Sequence, residues 1–210
     1  MTTAGERPPL RRDAIVDAAR GLISEVGLDG LTLRRLGGVL GVSATALYAH
    51  FADKDELLRA VAELEFDDLI GQYEQIDQDL GRDDPLARIR AQCRSYVKRA
   101  RHDPELFRVM FLFPPQQLVG IGSVPSQIEL PAATRALDMG IDAVSDAIDS
   151  GAIDADDPIL PAMALWAGVH GLANILMLGM ELTPEFEDSL IDEVTNRTLW
   201  GYGARTGAPD

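Results

Sequence analysis

Several things are scarce in this 210-residue sequence, and each scarcity narrows what the chain can be. There is one cysteine, Cys93, and a single thiol builds neither a disulfide framework nor a thiolate metal cluster. That usage suits a reducing compartment, so a cytoplasmic location is expected. The three histidines, His50, His102 and His170, have no metal-ligand spacing, so no metal and no cofactor are expected. No phosphate-cradling glycine loop precedes a helix, and no serine or cysteine nucleophile carries a sequence signature, so no catalytic residue is expected. No stretch of strand length alternates apolar and polar residues, and there is no internal repeat. Cations are outnumbered, 19 Lys and Arg against 34 Asp and Glu, a net charge of −15. Taken over the whole chain, that balance argues against a polyanionic partner.

The charge is unevenly distributed, however. Residues 1–59 hold eight Lys and Arg and eight Asp and Glu, so the whole excess of acid lies in residues 60–210, with eleven against twenty-six. An acidic body with a neutral end leaves that end free to approach DNA while repelling it elsewhere.

Helical periodicity runs almost throughout, so an all-α fold is expected. Ala14, Ile15, Ala18, Ala19, Leu22, Ile23 and Val26 form one stripe within residues 9–26, and Gly27 ends that helix. A long helix is expected from Lys54 to Leu80, carrying Leu57, Leu58, Val61, Leu64, Leu69 and Tyr73 inward. Gly81 breaks it, and Asp83-Asp84-Pro85 starts another reaching about Arg101. Further helices are expected over 104–112, 126–149, 158–180 and 184–200. Residues 113–126 contain three prolines and two glycines; they are expected to be irregular, an apolar flap over something buried. The opening residues 1–8 are polar and proline-containing, unlike a signal peptide, and are expected to form a flexible arm. Residues 88–108 carry seven Lys and Arg. This run reads as a solvated face paired to neighbouring acids, although an anion-binding wall would have the same composition.

Only one long apolar run occurs. Residues 159–180 carry no formal charge and reach the length of a membrane span. Acids flank it on both sides without a Lys or Arg anchor, and Pro161, His170 and Asn174 lie within it. A helix apolar all round can instead be buried by its own domain on one side and a partner subunit on the other. No membrane partner is expected, and a homodimer is.

Residues 31–58, LTLRRLGGVLGVSATALYAHFADKDELL, are the most specific part of the chain. Thr32 is a good N-cap for a helix over 33–40, and Gly41 can take the left-handed conformation that ends it. Ser43 caps a second short helix over 44–50. Asp53 caps a third, with Glu56 in capping-box position. Two helices joined by a tight glycine turn form a helix-turn-helix, whose second helix enters the DNA major groove.

On these residues the chain resembles the TetR family of transcriptional repressors. The likeness runs from Arg11 to Leu58 and is most specific at Gly41-Val42-Ser43, Leu47-Tyr48, His50-Phe51 and Lys54. Trp166 and His170-Gly171 add a weaker similarity to the WHG type of C-terminal ligand-binding domain. Leu36-Gly37-Gly38 departs from the family pattern of a larger aliphatic residue followed by Ala; interior glycines should leave that helix marginal on its own. The resemblance implies a helix-turn-helix DNA-binding domain over about residues 9–53. A helical-bundle ligand-binding and dimerisation domain would follow over 54–210, with most of the dimer interface on its last two helices. It implies a dimeric regulator with two recognition helices about 34 Å apart on a palindromic operator in double-stranded DNA, most simply a repressor released by a small, largely apolar effector. An activator would share this fold. A helical small-molecule carrier or enzyme with a vestigial head is the alternative from another class.

Candidate DNA-binding residues are Thr32, Arg34, Arg35, Ser43, Ala44, Thr45, Tyr48, His50 and Lys54. Arg34 is placed to grip a base edge or phosphate, Thr45 to touch a base, and Tyr48 and His50 to donate to phosphates. Ala44 and Ala46 would let the helix sit deep. Lys54 lies at a helix N-terminus that already favours an anion. Arg35 alone is equally a solvated charge, and Thr32 and Ser43 are caps first. Candidate ligand-binding residues are Phe107, Met110, Phe111 and Phe113, beside the irregular segment, and Met163, Trp166, His170, Asn174 and Met177 along the apolar run. Trp166, His170 and Asn174 share an i, i+4, i+8 stripe in which a ligand or the protein itself can supply the polar partners.

Overall fold

Capping and glycine placement set the helix limits. The structure, a computed structural model, describes residues 9–113 and 130–203. The helices are α1 (Arg12–Val26), α2 (Leu33–Leu40), α3 (Ala44–Leu47), α4 (Lys54–Leu80), α5 (Pro85–His102), α6 (Pro104–Met110), α7 (Pro131–Asp149), α8 (Ile159–Leu176) and α9 (Pro184–Gly201), with a 3-10 turn at Leu28–Gly30. No strand occurs among the described residues. Proline at the first turn starts α5, α6, α7 and α9, where its missing N–H and fixed φ are assets.

Four limits differ from expectation by two residues or more. α6 ends at Met110 rather than Leu112, where the Phe111 and Leu112 N–H groups bond back to the Arg108 and Val109 carbonyls. α3 stops at Leu47 rather than His50, because the Leu47 carbonyl accepts from both the His50 and Phe51 N–H groups and the chain tightens into a turn. α8 stops at Leu176 rather than Met180, where residues 177–179 turn into the positive φ of Gly179. α1 starts at Arg12, after an extended Arg11. The expected flap beyond Phe113, the start of the 126–149 helix and the arm over 1–8 lie outside the described residues.

One continuous apolar core runs from Ile15 in α1 to Leu199 in α9. α1, α2 and α3 form the head around Ile15, Ala19, Leu22, Ile23, Leu36, Leu47 and Phe51. α4 serves both ends. It packs on α1 of the head and on α5, α6 and α7 of the bundle. Head and bundle are also tied by polar contacts. Glu65 of α4, 2% exposed, is paired with Arg20 of α1 at 2.6 Å and with Arg99 of α5. Burial raises the Glu65 carboxyl above its ordinary value, while Arg99 and then Arg20 oppose that shift. Glu105 of α6 accepts from the Leu28 N–H at 2.8 Å, which lowers its carboxyl below the ordinary range.

The basic run of α5 is paired, chiefly with acids of α9 and α4. Arg94 and Lys98 meet Asp188 and Asp192, Arg101 meets Glu187, and Arg88 bridges Asp77 and Asp146. α8 is the described helix long and apolar enough to cross a membrane. It packs on α5, α7 and α9 along one face. Gly168 lets α9 close on it, since an added Cβ would lie 3.0 Å from Val194 Cγ1, whereas Gly171 faces open space.

Candidate functional site

The helix-turn-helix is built by three side-chain caps and one left-handed glycine. Thr32 Oγ1 accepts from the Arg35 N–H at 3.1 Å, Ser43 Oγ from Ala46 at 3.2 Å, and Asp53 Oδ1 from Glu56 at 2.7 Å. Each satisfies an N–H that a helix start would otherwise leave unpaired. Glu56 reaches back to the Ala52 N–H rather than to the cap residue's own, and also binds Arg12 Nη2 at 2.9 Å. Gly41 sits at φ 66°, and the Val42 N–H then bonds back to the Gly37 carbonyl at 2.8 Å. Gly37 is required by this closure, because a Cβ there would stand 2.8 Å from Val42 O, while Gly38 has open space around it.

The scaffold leaves a short row of side chains outward. Leu36, Leu47 and Phe51 are buried, whereas Arg34, Thr45 and Tyr48 are exposed, Tyr48 by 55%. Ala44, His50 and Lys54 are half-buried beside them. Between Thr32 and Lys54 the chain carries Arg34, Arg35 and Lys54 against Asp53 alone. Arg35 is partly committed elsewhere, donating from Nη1 to the Gly30 carbonyl at 2.9 Å. A positioning residue not singled out in the sequence is Arg12. Its guanidinium lies 4.0 Å over the Phe51 ring, donates to the His50 carbonyl and pairs with Glu56, which fixes the end of the recognition turn against α1. The only advance sign of it was an arginine at the edge of the motif.

A cavity of about 100 Å³ lies between α4, α5, α7 and α8. α4 contributes Phe66, Leu69 and Tyr73; α5 contributes Ile89, Gln92, Cys93 and Tyr96. Small residues of α7, Ala133, Ala136 and Gly140, leave the room, and Ala162, Leu165 and Trp166 of α8 close the far wall. Phe111 and Trp166 are the expected ligand residues that line it.

The remaining ligand candidates lie elsewhere. Phe107 and Met110 are core beneath the wall, Phe107 stacking edge-on against Tyr96 with centroids 5.3 Å apart. Phe113 is buried under Arg59, 5.7 Å from its ring. Met163 and Met177 are half-buried and do not line the cavity, and Met177 packs against the core edge. The expected polar stripe does not converge. Asn174 is exposed and donates to the His170 carbonyl of its own helix at 2.8 Å. His170 meets the protein instead. The Tyr96 hydroxyl accepts from Trp166 Nε1 at 3.1 Å and lies 2.8 Å from His170 Nδ1. The direction of the Tyr96–His170 contact follows the tautomer of the ring: with the His170 proton on Nε2, Nδ1 accepts from the Tyr96 hydroxyl. Burial lowers the His170 value, favouring that neutral ring.

Leu69 and Tyr73 were placed inward, but an apolar stripe does not distinguish a filled core from one with a gap. A signal that was present is Gln92, an uncharged polar residue on the inward face of α5, three residues after Ile89 and four before Tyr96. Among the described residues, no group of three or more His, Cys, Asp and Glu side chains is disposed to hold a metal ion.

Residues 15–61 match the family model described as bacterial regulatory proteins, tetR family. Residues 89–198, just over half the chain, match a tetracyclin repressor-like C-terminal domain. Over nearly its whole length the chain is similar to an uncharacterised HTH-type transcriptional regulator of Mycobacterium tuberculosis, with 29% identity over 197 residues, 94% of this chain and 84% of that one. Over a stretch of 54 residues it is 50% identical to the class C tetracycline repressor of Escherichia coli, 26% of this chain and 25% of that protein. Among solved structures, a protein of unknown function from Rhodococcus sp. RHA1 superposes with a TM-score of 0.75 at 25% identity, covering 97% of this chain and all of that one.

Proposed function

The chain belongs to the TetR family of bacterial regulatory proteins and is a DNA-binding transcriptional regulator; from that premise we propose that it is a homodimeric repressor, released from a palindromic operator when a small, largely apolar molecule fills the bundle cavity. The observation that carries the reading is the outward row of Arg34, Thr45 and Tyr48 on a fully capped and buried scaffold. Arg34 and Thr45 reach base edges, while Tyr48, His50 and Lys54 hold phosphates, Lys54 aided by the N-terminus of the 27-residue α4. Ala44 presents no bulk to the groove. Thr32 and Ser43 act through the helix ends they cap. Arg35, tied to Gly30, contributes charge.

The dimer reading rests on the outer face of α8 and the turn after it. Leu160 (66% exposed), Ala167, Gly171, Ile175 and Leu178 (80% exposed) follow helical spacing with no charged neighbour among them, and Phe186 and Trp200 of α9 are also exposed. A second copy covers this face with the same elements about a two-fold axis. Regulation follows from α4, which begins in the head and forms a wall of the cavity. A ligand that binds the two positions of α4 unequally shifts the separation of the heads, and only such a ligand can.

Selection of bound sequences from random palindromes tests the function. The wild-type protein selects a consensus, and Arg34→Ala combined with Tyr48→Ala abolishes selection without changing the melting temperature. Failure of the wild-type protein to select any sequence would remove the repressor reading.

A further inference from the structure

We propose that the effector is an uncharged, mostly apolar molecule whose single oxygen accepts a hydrogen bond from the Gln92 side-chain amide. The inference rests on the reading of this cavity as the effector site and adds the chemistry of what enters it.

The lining contains no Asp, Glu, Lys, Arg or His. An ionised ligand group would therefore be buried there without a counter-charge, which is strongly unfavourable. The polar groups on the wall are few, and most are engaged. The Trp166 indole N–H and the Tyr96 hydroxyl bond to each other, and Tyr96 also bonds to His170. Burial keeps Cys93 and Tyr73 protonated, and pushes the Cys93 thiol up to about 12 although a hydrogen bond with Thr195 opposes the shift. Gln92 differs. It is 4% exposed, and its Nε2 is buried with no hydrogen-bond partner among the described residues. A carboxamide carries two N–H donors, and leaving them unpaired in an apolar wall is a standing cost that a ligand oxygen removes.

The geometry limits size as well. The small residues of α7 border the space, and a Cβ built on Gly140 would meet no atom within 4 Å. The volume of about 100 Å³ is below the roughly 150 Å³ of an engineered apolar cavity that takes up benzene. Six heavy atoms are therefore about the upper limit in this conformation. The aromatic walls, Phe66, Tyr96, Phe111 and Trp166, favour a flat or ring-shaped body.

Calorimetric titration of the full-length protein with three matched probes provides the test: cyclopentanone, methylenecyclopentane, in which a CH2 replaces the oxygen, and cyclopentanecarboxylate. The wild-type protein binds the ketone about tenfold more tightly than the hydrocarbon, the worth of one well-placed hydrogen bond to a buried amide, and the carboxylate more weakly than either. In Gln92→Leu the preference for the ketone disappears while the hydrocarbon still binds. Ala136→Phe, which fills the cavity from α7, abolishes binding of all three. Equal affinity for ketone and hydrocarbon in the wild-type protein, a preference that survives Gln92→Leu, or tightest binding of the carboxylate would overturn the assignment to Gln92 and leave the cavity reading standing. Failure of all three probes to bind the wild-type protein, or binding that survives Ala136→Phe, would overturn the cavity reading and this inference together.

Discussion

In the head, the caps at Thr32, Ser43 and Asp53 each close on a backbone N–H three residues away. In the bundle the polar ties join residues 58 to 106 positions apart: Arg88 to Asp146, Arg90 to Asn196, Arg94 to Asp192, Arg101 to Glu187. The helix ends of the motif are thus set within short stretches of sequence, with Arg12 tying its far end to α1 across 38 to 44 residues. The bundle exists only once distant segments have met. The difference explains why one region presents an ordered row of outward side chains and the other a gap. Local caps fix helix ends and hence directions, whereas long-range packing of α4, α5, α7 and α8 fills space only as well as their residues happen to match.

Experiments can break or sharpen this contrast, and the largest effect is expected where the two regions are joined. Glu65→Ala leaves Arg99 and Arg20 without their shared buried carboxylate. About 3 kcal/mol of stability should be lost in denaturant unfolding, and a second transition should appear as head and bundle separate. A single unshifted transition would show that α4 alone couples them. Gly37→Val comes next. The new side chain has to occupy space held by Val42 O and the Ala44 N–H, so about 2 kcal/mol should be lost, with DNA affinity falling further than the melting temperature implies. Thr32→Ala and Ser43→Ala should each cost about 1 kcal/mol. Their effects should be additive on unfolding but should not change binding of a probe in the bundle cavity. A change in cavity binding would mean that the head's local code is not local.

These effects indicate what could be read before the fold was known. Residues 31–58 declared themselves because a cap, a turn glycine and a buried aromatic each carry their physical reason within a few positions. Even there the reading overran, since α3 ends at Leu47; nothing in TALYAH signals that one carbonyl will accept from two following amides. Long helices with a clear start or stop, such as α4, which Gly81 ends, and α5, which Pro85 starts, were legible to within a residue or two. The cavity was not. Phe107 and Phe111 look alike in the sequence, yet Phe111 lines it and Phe107 does not. His170 and Asn174 fall on one stripe, yet one meets Tyr96 and the other meets solvent. Which apolar residue borders an empty volume depends on the sizes of residues on other helices, here Ala133, Ala136 and Gly140.

Two smaller effects complete the comparison. Gly38→Ala, in open space on α2, should stabilise the head by up to about 1 kcal/mol, and its absence from the cavity should leave probe binding unchanged. The smallest effect is a pH dependence in the bundle. His170 is held below the ordinary histidine value by burial, so the folded state binds its proton less readily than the unfolded state. Its contribution is therefore complete above the ordinary value, about 6.5, and is lost as the pH falls from there toward the lowered folded value. The melting-temperature advantage of the wild-type protein over His170→Gln should shrink across that window. An advantage that grows on acidification would mean that His170 is protonated in the fold.

The cavity wall also holds a built-in reporter. Cys93 is the only thiol in the chain, is buried and borders the empty volume. A thiol-specific reagent can reach it only when the helices part, so the labelling rate clocks how often the bundle breathes. A guest seated against α5 slows that clock, and its occupancy becomes readable without any DNA in the tube.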